Sequence, residues 1–133
     1  MTATTLDHVN IATHDLPGSV AFYAAVLDLR CDSGPPGMST DSVQWLYDAN
    51  DRPIVHLTSP DVMGGTIRRA EPGPHTGAIH HVAFNCAGYD AALTRLDAMQ
   101  IAYEQRHIAS IGLRQVFITD PCGVLLEMNF YGD

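Results

Sequence analysis

The chain has 133 residues, of which 46% are hydrophobic, and fifteen acidic residues against seven basic ones give it a net charge of −8. That apolar content suffices for a core, so we expect one domain over residues 1–133. Nucleic acid is excluded as an expected partner because the arginines are scattered and nucleic-acid binding needs a basic surface. We also expect no membrane association and a cytoplasmic protein, since no apolar run has the length of a membrane span and no signal-peptide pattern is present.

The first half of the chain begins with a strand-like pattern and then changes to a helical one. Polar and apolar residues alternate over 5–11, which predicts a half-buried strand. Asp15 can cap a helix over 17–27 that carries a proline in its first turn. A Gly/Pro loop at 34–37 follows, and two further strands are predicted at 43–47 and 54–58.

The second half repeats this order. A strand is predicted over 79–85 and a helix over 89–99, and three strands follow at 102–108, 113–119 and 124–130. His8 precedes His81 by 73 positions, and His56 precedes Glu127 by 71. We therefore predict an internal duplication, with repeat one at about 5–59, a Gly/Pro-rich connector or lid at about 60–77, and repeat two at about 78–131.

Four residues at equivalent places in the two repeats predict a metal site. His8 shares its strand face with Asn10, and His81 lies in the corresponding phase of the second repeat. Glu127 lies in an otherwise apolar strand, where an unpaired carboxylate is costly to bury and a metal ion would offset the cost. Imidazole and carboxylate ligands suit one divalent ion of Zn, Ni, Co, Mn or Fe(II). The predicted ligands are His8, His56, His81 and Glu127.

Four segments, 6–9, 55–57, 80–84 and 120–127, resemble the conserved strands of the vicinal-oxygen-chelate superfamily, which includes glyoxalases, bleomycin resistance proteins and extradiol dioxygenases. The resemblance implies an α+β fold in which paired βαβββ modules form a half-open barrel around a divalent metal. It implies a small substrate that chelates this metal through adjacent oxygens, and a homodimer. By this resemblance His8, His81 and Glu127 are the shared ligands, and His56 occupies the more variable place. Whether the ligands come from one chain or two stays open.

Three functions remain open at this point. The first choice is glyoxalase-like lyase or isomerase chemistry, with Glu127 as both ligand and catalytic base, although His56 replaces the second carboxylate that glyoxalases usually carry. A non-classical Fe(II) or Mn(II) dioxygenase is the alternative, because His8, His81 and Glu127 would form a two-histidine, one-carboxylate triad. Phe117 stands where the classical ring-cleaving enzymes carry a tyrosine. A metal-free binding protein of the bleomycin-resistance type is the third.

Several other side chains are predicted to act at the same site. His107 is a candidate acid/base group at the mouth of the barrel. Arg114 could bind a substrate carboxylate or phosphonate through its fork of donors. Gln44 and Gln115 occupy matching strand places in the two repeats, and Trp45 could form an aromatic wall. The predicted substrate-binding residues are Gln44, Trp45, Arg114 and Gln115.

Overall fold

The computed structural model describes residues 1–34, 36–62 and 76–132. These residues form two compact units, one before and one after the undescribed segment 63–75. Each unit contains one four-stranded mixed sheet and one α-helix in the order β-α-β-β-β. In the described part of the chain no helix is long and apolar enough to cross a membrane.

The first unit is built on a sheet with the strand order β1-β4-β3-β2. β1 runs parallel to β4, whereas β3 is antiparallel to both β4 and β2. The elements of this unit are β1 (Val9–Ala12), α1 (Leu16–Leu27), β2 (Arg30–Ser33), β3 (Val43–Tyr47) and β4 (Pro53–Thr58).

Helix α1 begins at a side-chain cap and packs on β3 and β4. The carboxylate of Asp15 accepts a hydrogen bond from the backbone N–H of Gly18 at 3.0 Å, which satisfies a free donor of the first turn. A Cβ at Gly18 would lie 2.1 Å from the Asp15 carboxylate, so this cap requires glycine there. Tyr23 and Val26 are buried on the face of the helix that covers the apolar side of the sheet.

The second unit repeats the topology with the strand order β5-β8-β7-β6, in which β5 is parallel to β8. Its core contains Leu96 of the helix and Val116, Ile118, Leu126 and Met128 of the two central strands. Its elements are β5 (Val82–Cys86), α2 (Tyr89–Ala98), β6 (Glu104–Ile108), a short 3-10 helix (Ala109–Ile111), β7 (Leu113–Thr119) and β8 (Leu125–Tyr131).

The predicted pair of βαβββ modules is confirmed, and one strand was not predicted from the sequence pattern. β2 consists of Arg30, Cys31, Asp32 and Ser33, all exposed, and it lies at an edge of its sheet. An exposed edge strand has no apolar alternation to reveal it. Most of the connector predicted at 60–77 lies outside the described residues.

Candidate metal centre

In the first unit, His8 and His56 lie on the sheet face opposite helix α1. Asn10 pairs with His56 across β1 and β4, and Trp45 pairs with His56 across β3 and β4. Directly paired residues point to the same side of a sheet, so Asn10, Trp45 and His56 share one face, and His8 is in phase with Asn10. The other face carries Leu46, Val55 and Leu57, which are fully buried.

Three aromatic rings are stacked on this face. The ring centroids of His8 and His56 are 3.8 Å apart, and those of Trp45 and His56 are 4.3 Å apart with 7° between the planes. His56 is therefore held between two rings and is only 8% exposed. Its Nε2 atom is buried and has no hydrogen-bond partner among the described residues. A buried polar atom left without a partner is costly, and a bound metal ion would remove that cost.

The surroundings of both imidazoles favour the form that binds metals. Burial, followed by the proximity of His8, lowers the pKa of His56 below its ordinary value, so the ring is neutral at neutral pH. Nδ1 of His8 lies 2.6 Å from the Asp7 carboxylate. A carboxylate partner on Nδ1 fixes the proton there and leaves the Nε2 lone pair for a metal.

In the second unit, His81 and Glu127 form the corresponding pair. Nε2 of His81 lies 3.3 Å from Oε2 of Glu127, and the residue Glu127 is 9% exposed. Ala83 pairs with Glu127 across β5 and β8, just as Asn10 pairs with His56 in the first unit. Nδ1 of His81 lies 3.0 Å from Nδ1 of His80, so one of these two nitrogens carries the proton of a hydrogen bond.

The two oxygens of Glu127 have different surroundings. Oε1 accepts a hydrogen bond from the Gln115 side-chain amide at 2.8 Å and another from the Asn129 amide at 2.8 Å. Gln115 also donates to the Asn129 carbonyl oxygen at 3.0 Å, so the three side chains form a network. Oε1 is thereby held in place, and Oε2, which faces His81, is the oxygen free to bind a ligand.

A cavity of about 1080 Å³ lies on this same face of the second unit. His81, Gln115 and Glu127 line it together with apolar side chains such as Phe117 and Leu125. It is large enough to hold a small molecule, and its polar groups converge near Glu127.

The side chains fit the predicted metal in their chemistry. Nε2 of His81 and Oε2 of Glu127 are only weakly partnered, by each other, and Nε2 of His56 has no partner among the described residues. The unpartnered Nε2 of His56 is the feature that a metal would explain best. The structure brings the four predicted ligands together as two pairs, His8 with His56 and His81 with Glu127. Among the described residues, no group of three or more His, Cys, Asp or Glu side chains is placed to hold an ion.

Gln44 does not share a face with these ligands, which corrects the expected match between Gln44 and Gln115. Gln44 pairs with Leu57 and hydrogen-bonds the Thr40 carbonyl, so it lies on the helix side of the sheet. The pairing of β3 with β4 shifts at Leu46 and Tyr47, which leaves Ile54 as an extra residue in β4. Because a shift of one residue moves a side chain to the opposite face, Gln115 corresponds to Val43 rather than to Gln44.

Arg114 and His107 also lie away from the cavity, contrary to expectation. They pair with each other across β6 and β7, one residue out of phase with Gln115. The Arg114 guanidinium lies 4.7 Å from the centre of the Tyr89 ring and 4.0 Å from the Asp90 carboxylate, both on α2. Strand alternation therefore turns Arg114 and His107 toward the helix side of the sheet, so neither is placed to contact a molecule in the cavity.

Sequence reasoning missed two polar residues on the ligand face. Asn129 lies two residues after Glu127 and shares its face, and its amide holds the Glu127 carboxylate. Arg106 pairs with Gln115 and lines the cavity. The two-residue period that identified His8 and His81 would have identified Asn129 as well. Arg106 could not be assigned in this way, because its face depends on the register of β6 against β7.

Comparison with known families gives a match over nearly the whole chain. A model described as "Glyoxalase/Bleomycin resistance protein/Dioxygenase superfamily" matches residues 5–128. No curated protein matches the chain.

Solved structures share the fold at low sequence identity. A glyoxalase/dioxygenase from Nostoc punctiforme is 19% identical, with 98% of this chain and 92% of that chain covered and a TM-score of 0.74. A lactoylglutathione lyase from Agrobacterium tumefaciens is 22% identical, with coverage of 98% and 96% and a TM-score of 0.63. The fosfomycin resistance protein FosX from Listeria monocytogenes is 16% identical, with coverage of 97% and 94% and a TM-score of 0.66. At these identities the likeness shows the fold alone.

Proposed function

Because this chain belongs to the Glyoxalase/Bleomycin resistance protein/Dioxygenase superfamily, we propose that it is a metal-dependent enzyme. It binds one divalent ion, Zn, Ni, Co, Mn or Fe(II), through His8, His56, His81 and Glu127. Its substrate is a small molecule that chelates the ion through adjacent oxygens, and the reaction is of the glyoxalase-like lyase or isomerase type. The observation that carries this proposal is the carboxylate of Glu127, which has one oxygen fixed by two amides and the other oxygen facing His81.

The ligand set determines what the ion would contribute. Three neutral imidazoles and one carboxylate leave a bound dication with a net positive charge, and such an ion polarises substrate oxygens and stabilises negative charge on them. The buried, unpartnered Nε2 of His56 and its lowered pKa support its assignment as a neutral ligand. Asp7 supports His8 in the same way, since its carboxylate holds the Nδ1 proton.

Within the chain, Glu127 is the residue best suited to exchange a proton with the substrate. Gln115 and Asn129 both donate to Oε1, so a proton or a ligand is taken up at Oε2. Phe117 pairs with Glu127 across β7 and β8 and lines the same cavity. Its apolar ring limits the access of water to one side of the carboxylate, which strengthens electrostatic interactions at Oε2.

Two observations favour lyase or isomerase chemistry over ring-cleaving oxygenation. The side chain directly opposite Glu127 is Phe117, which has no hydroxyl to donate a hydrogen bond. His107, the other candidate proton donor of an oxygenase, is on the helix side of the sheet with Arg114. Neither Phe117 nor His107 therefore supplies a proton-donating group beside Glu127.

Reconstitution with single metals tests the reaction type. Apo-protein is loaded separately with Zn, Ni, Fe(II) and Mn(II), and each form is screened under nitrogen and in an oxygen electrode. The panel contains S-lactoylglutathione and fosfomycin, which are suggested by the names of the two similar solved structures, together with catechols as substrates for an oxygenase. We expect turnover by the Zn or Ni form under nitrogen, and we expect Glu127→Gln to abolish it while Glu104→Gln, which removes a second cavity carboxylate, retains it. Oxygen uptake confined to the Fe(II) or Mn(II) form would instead establish an oxygenase.

We also propose that the protein is a homodimer. Each sheet has two edge strands, β1 and β2 in one unit and β5 and β6 in the other, and exposed edges favour pairing with another chain. Multi-angle light scattering at micromolar concentration should give twice the chain mass of 14.4 kDa. A mass of one chain would contradict the proposal.

A further inference from the structure

Arg106 is an unpaired cation in the cavity of the second unit. It lies in β6 as the direct partner of Gln115, so its side chain shares the face that carries Glu127. It is exposed and lines the cavity together with Glu104 and Ile108, the residues two positions away on either side along the same strand. This face therefore holds a guanidinium on its edge strand and a carboxylate near its centre.

The lack of a partner for Arg106 stands out against the other arginines. Arg30 forms ion pairs with two aspartates, and Arg52 donates two hydrogen bonds to Asp48. The guanidinium of Arg114 lies over the Tyr89 ring and is paired with the carboxylate of Asp90. Among residues 1–34, 36–62 and 76–132, no acidic group lies within ion-pair distance of Arg106. Glu104 shares the face without pairing with it, so the guanidinium keeps all its donors for a ligand.

The strand register gives the approximate span between Arg106 and Glu127. Arg106, Gln115 and Asn129 form one row across the sheet, and Glu104, Phe117 and Glu127 form the neighbouring row. Two strand spacings and one two-residue step separate Arg106 from Glu127, which is about 12 Å between backbones. Both side chains extend into the cavity and shorten this distance. A small molecule can reach both, with Phe117 beneath its central part.

We propose that Arg106 binds a carboxylate group of the substrate while the oxygens at the other end of the substrate chelate the metal. This inference rests on the proposed function and names its substrate class, a small metal-chelating molecule with a terminal carboxylate. A planar guanidinium matches a carboxylate with two parallel hydrogen bonds. A monoanion suits the site better than a dianion, because Arg106 is the one cation of the described cavity lining and Glu104 stands beside it.

The charge of the whole chain opposes the approach of an anionic substrate. With a net charge of −8, the protein repels anions at a distance. A local guanidinium in a cavity counteracts this repulsion at one point and orients the substrate. The carboxylate is thus bound at the edge strand, and the metal-chelating end is directed to His81 and Glu127.

Hydroxamates test this inference, because they chelate divalent metals through two adjacent oxygens. The probes are acetohydroxamate, the monohydroxamates of succinic, glutaric and adipic acid, and the methyl ester of each diacid probe. Binding to Zn-loaded and Ni-loaded protein is measured by isothermal titration calorimetry. The variants are Arg106→Gln, Arg106→Lys and Arg114→Gln, the last of which removes the same charge from the opposite face.

We expect at least one carboxylate probe to bind the wild type about tenfold more tightly than its ester, as for one charge-assisted hydrogen-bonded pair. Arg106→Gln should remove this difference without changing the affinity for acetohydroxamate, Arg106→Lys should retain part of it, and Arg114→Gln should retain all of it. Acetohydroxamate binding without any gain from the carboxylate, or a gain that survives in Arg106→Gln, overturns the assignment of Arg106. Failure of acetohydroxamate to bind overturns the proposed function and this inference with it.

Discussion

The indole ring of Trp45 lies parallel to the imidazole ring of His56, with 4.3 Å between the ring centroids and 7° between the planes. The sequence predicted Trp45 as a wall of the substrate pocket. That role stays a prediction, and in the structure Trp45 packs against a candidate metal ligand and restricts the orientation of that ligand. A ligand ring held by packing loses less freedom on binding a metal.

This contact predicts a direct optical signal for metal binding. Trp45 is the single tryptophan of the chain and is stacked on His56, so a change at His56 should alter the intrinsic tryptophan fluorescence. We expect Ni or Co to quench the emission at one equivalent per chain. His56→Asn should weaken the titration, and His107→Asn, on the other face of its sheet, should leave it unchanged. Quenching that is absent in the wild type, or equally strong in His56→Asn, would show that the ion binds elsewhere.

The Gln115 side chain predicts a metal affinity that depends on a residue outside the ligand set. Gln115→Leu removes one of the two donors that hold Oε1 of Glu127. Loss of such a supporting group lowers metal affinity by roughly 10- to 100-fold. The measurement is the Zn dissociation constant by competition with a chromogenic chelator. Gln105→Leu, which instead loses the hydrogen bond that Gln105 accepts from the Tyr89 hydroxyl, is the control and should keep the wild-type constant.

How far the sequence predicts this site depends on which residues set the strand register. The faces of His8, His81 and Glu127 could be predicted because their phase follows from alternation within single strands. Gln44 was misplaced because the irregular pairing at Leu46 and Tyr47 shifts β3 by one residue relative to the second repeat. Such a bulge leaves no clear pattern in the sequence, yet it reverses every face assignment beyond it.

Cys86 is predicted to be an unreactive thiol. Burial raises its pKa to about 11, so at pH 8 the native protein holds far less thiolate than an unfolded chain does. Because the thiolate is the nucleophile, iodoacetamide should modify Cys86 about a hundredfold more slowly in the native state than in guanidinium chloride. Peptide mass spectrometry follows each cysteine separately. The native rate should rise with pH up to about 11, and a plateau reached below pH 9 would contradict the raised pKa.

The cap of helix α1 predicts a change in stability that leaves the metal site intact. Asp15→Ala removes the carboxylate that accepts from the Gly18 N–H, and it should lower the free energy of unfolding by about 1 kcal/mol. Gly18→Ala would place a Cβ 2.1 Å from that carboxylate and displace it, so this variant should gain less than the roughly 1 kcal/mol that a helical glycine-to-alanine change otherwise gives. Urea denaturation measures both changes. An Asp15→Ala variant as stable as the wild type would show that the cap does not form.

The edge strand β2 could not be predicted from the sequence pattern, because none of its residues is buried. Arg30 and Asp32 are exposed and hydrogen-bond to each other, and they carry no apolar period. Their strand forms because the backbone pairs with β3, which is itself identified by its buried residues Val43 and Leu46. An exposed edge strand of this kind can be identified only when the order of the strands in the sheet is known.

Metal stoichiometry after reconstitution tests the central claim most directly. Purified protein is stripped with a chelator, loaded in turn with Ni, Zn, Mn, Co and Fe(II), desalted and measured by inductively coupled plasma mass spectrometry. We expect close to one ion per chain for at least one of these metals, both in the wild type and in Glu104→Gln, and a marked loss in Glu127→Gln. A wild-type protein that retains none of the five metals would contradict the account.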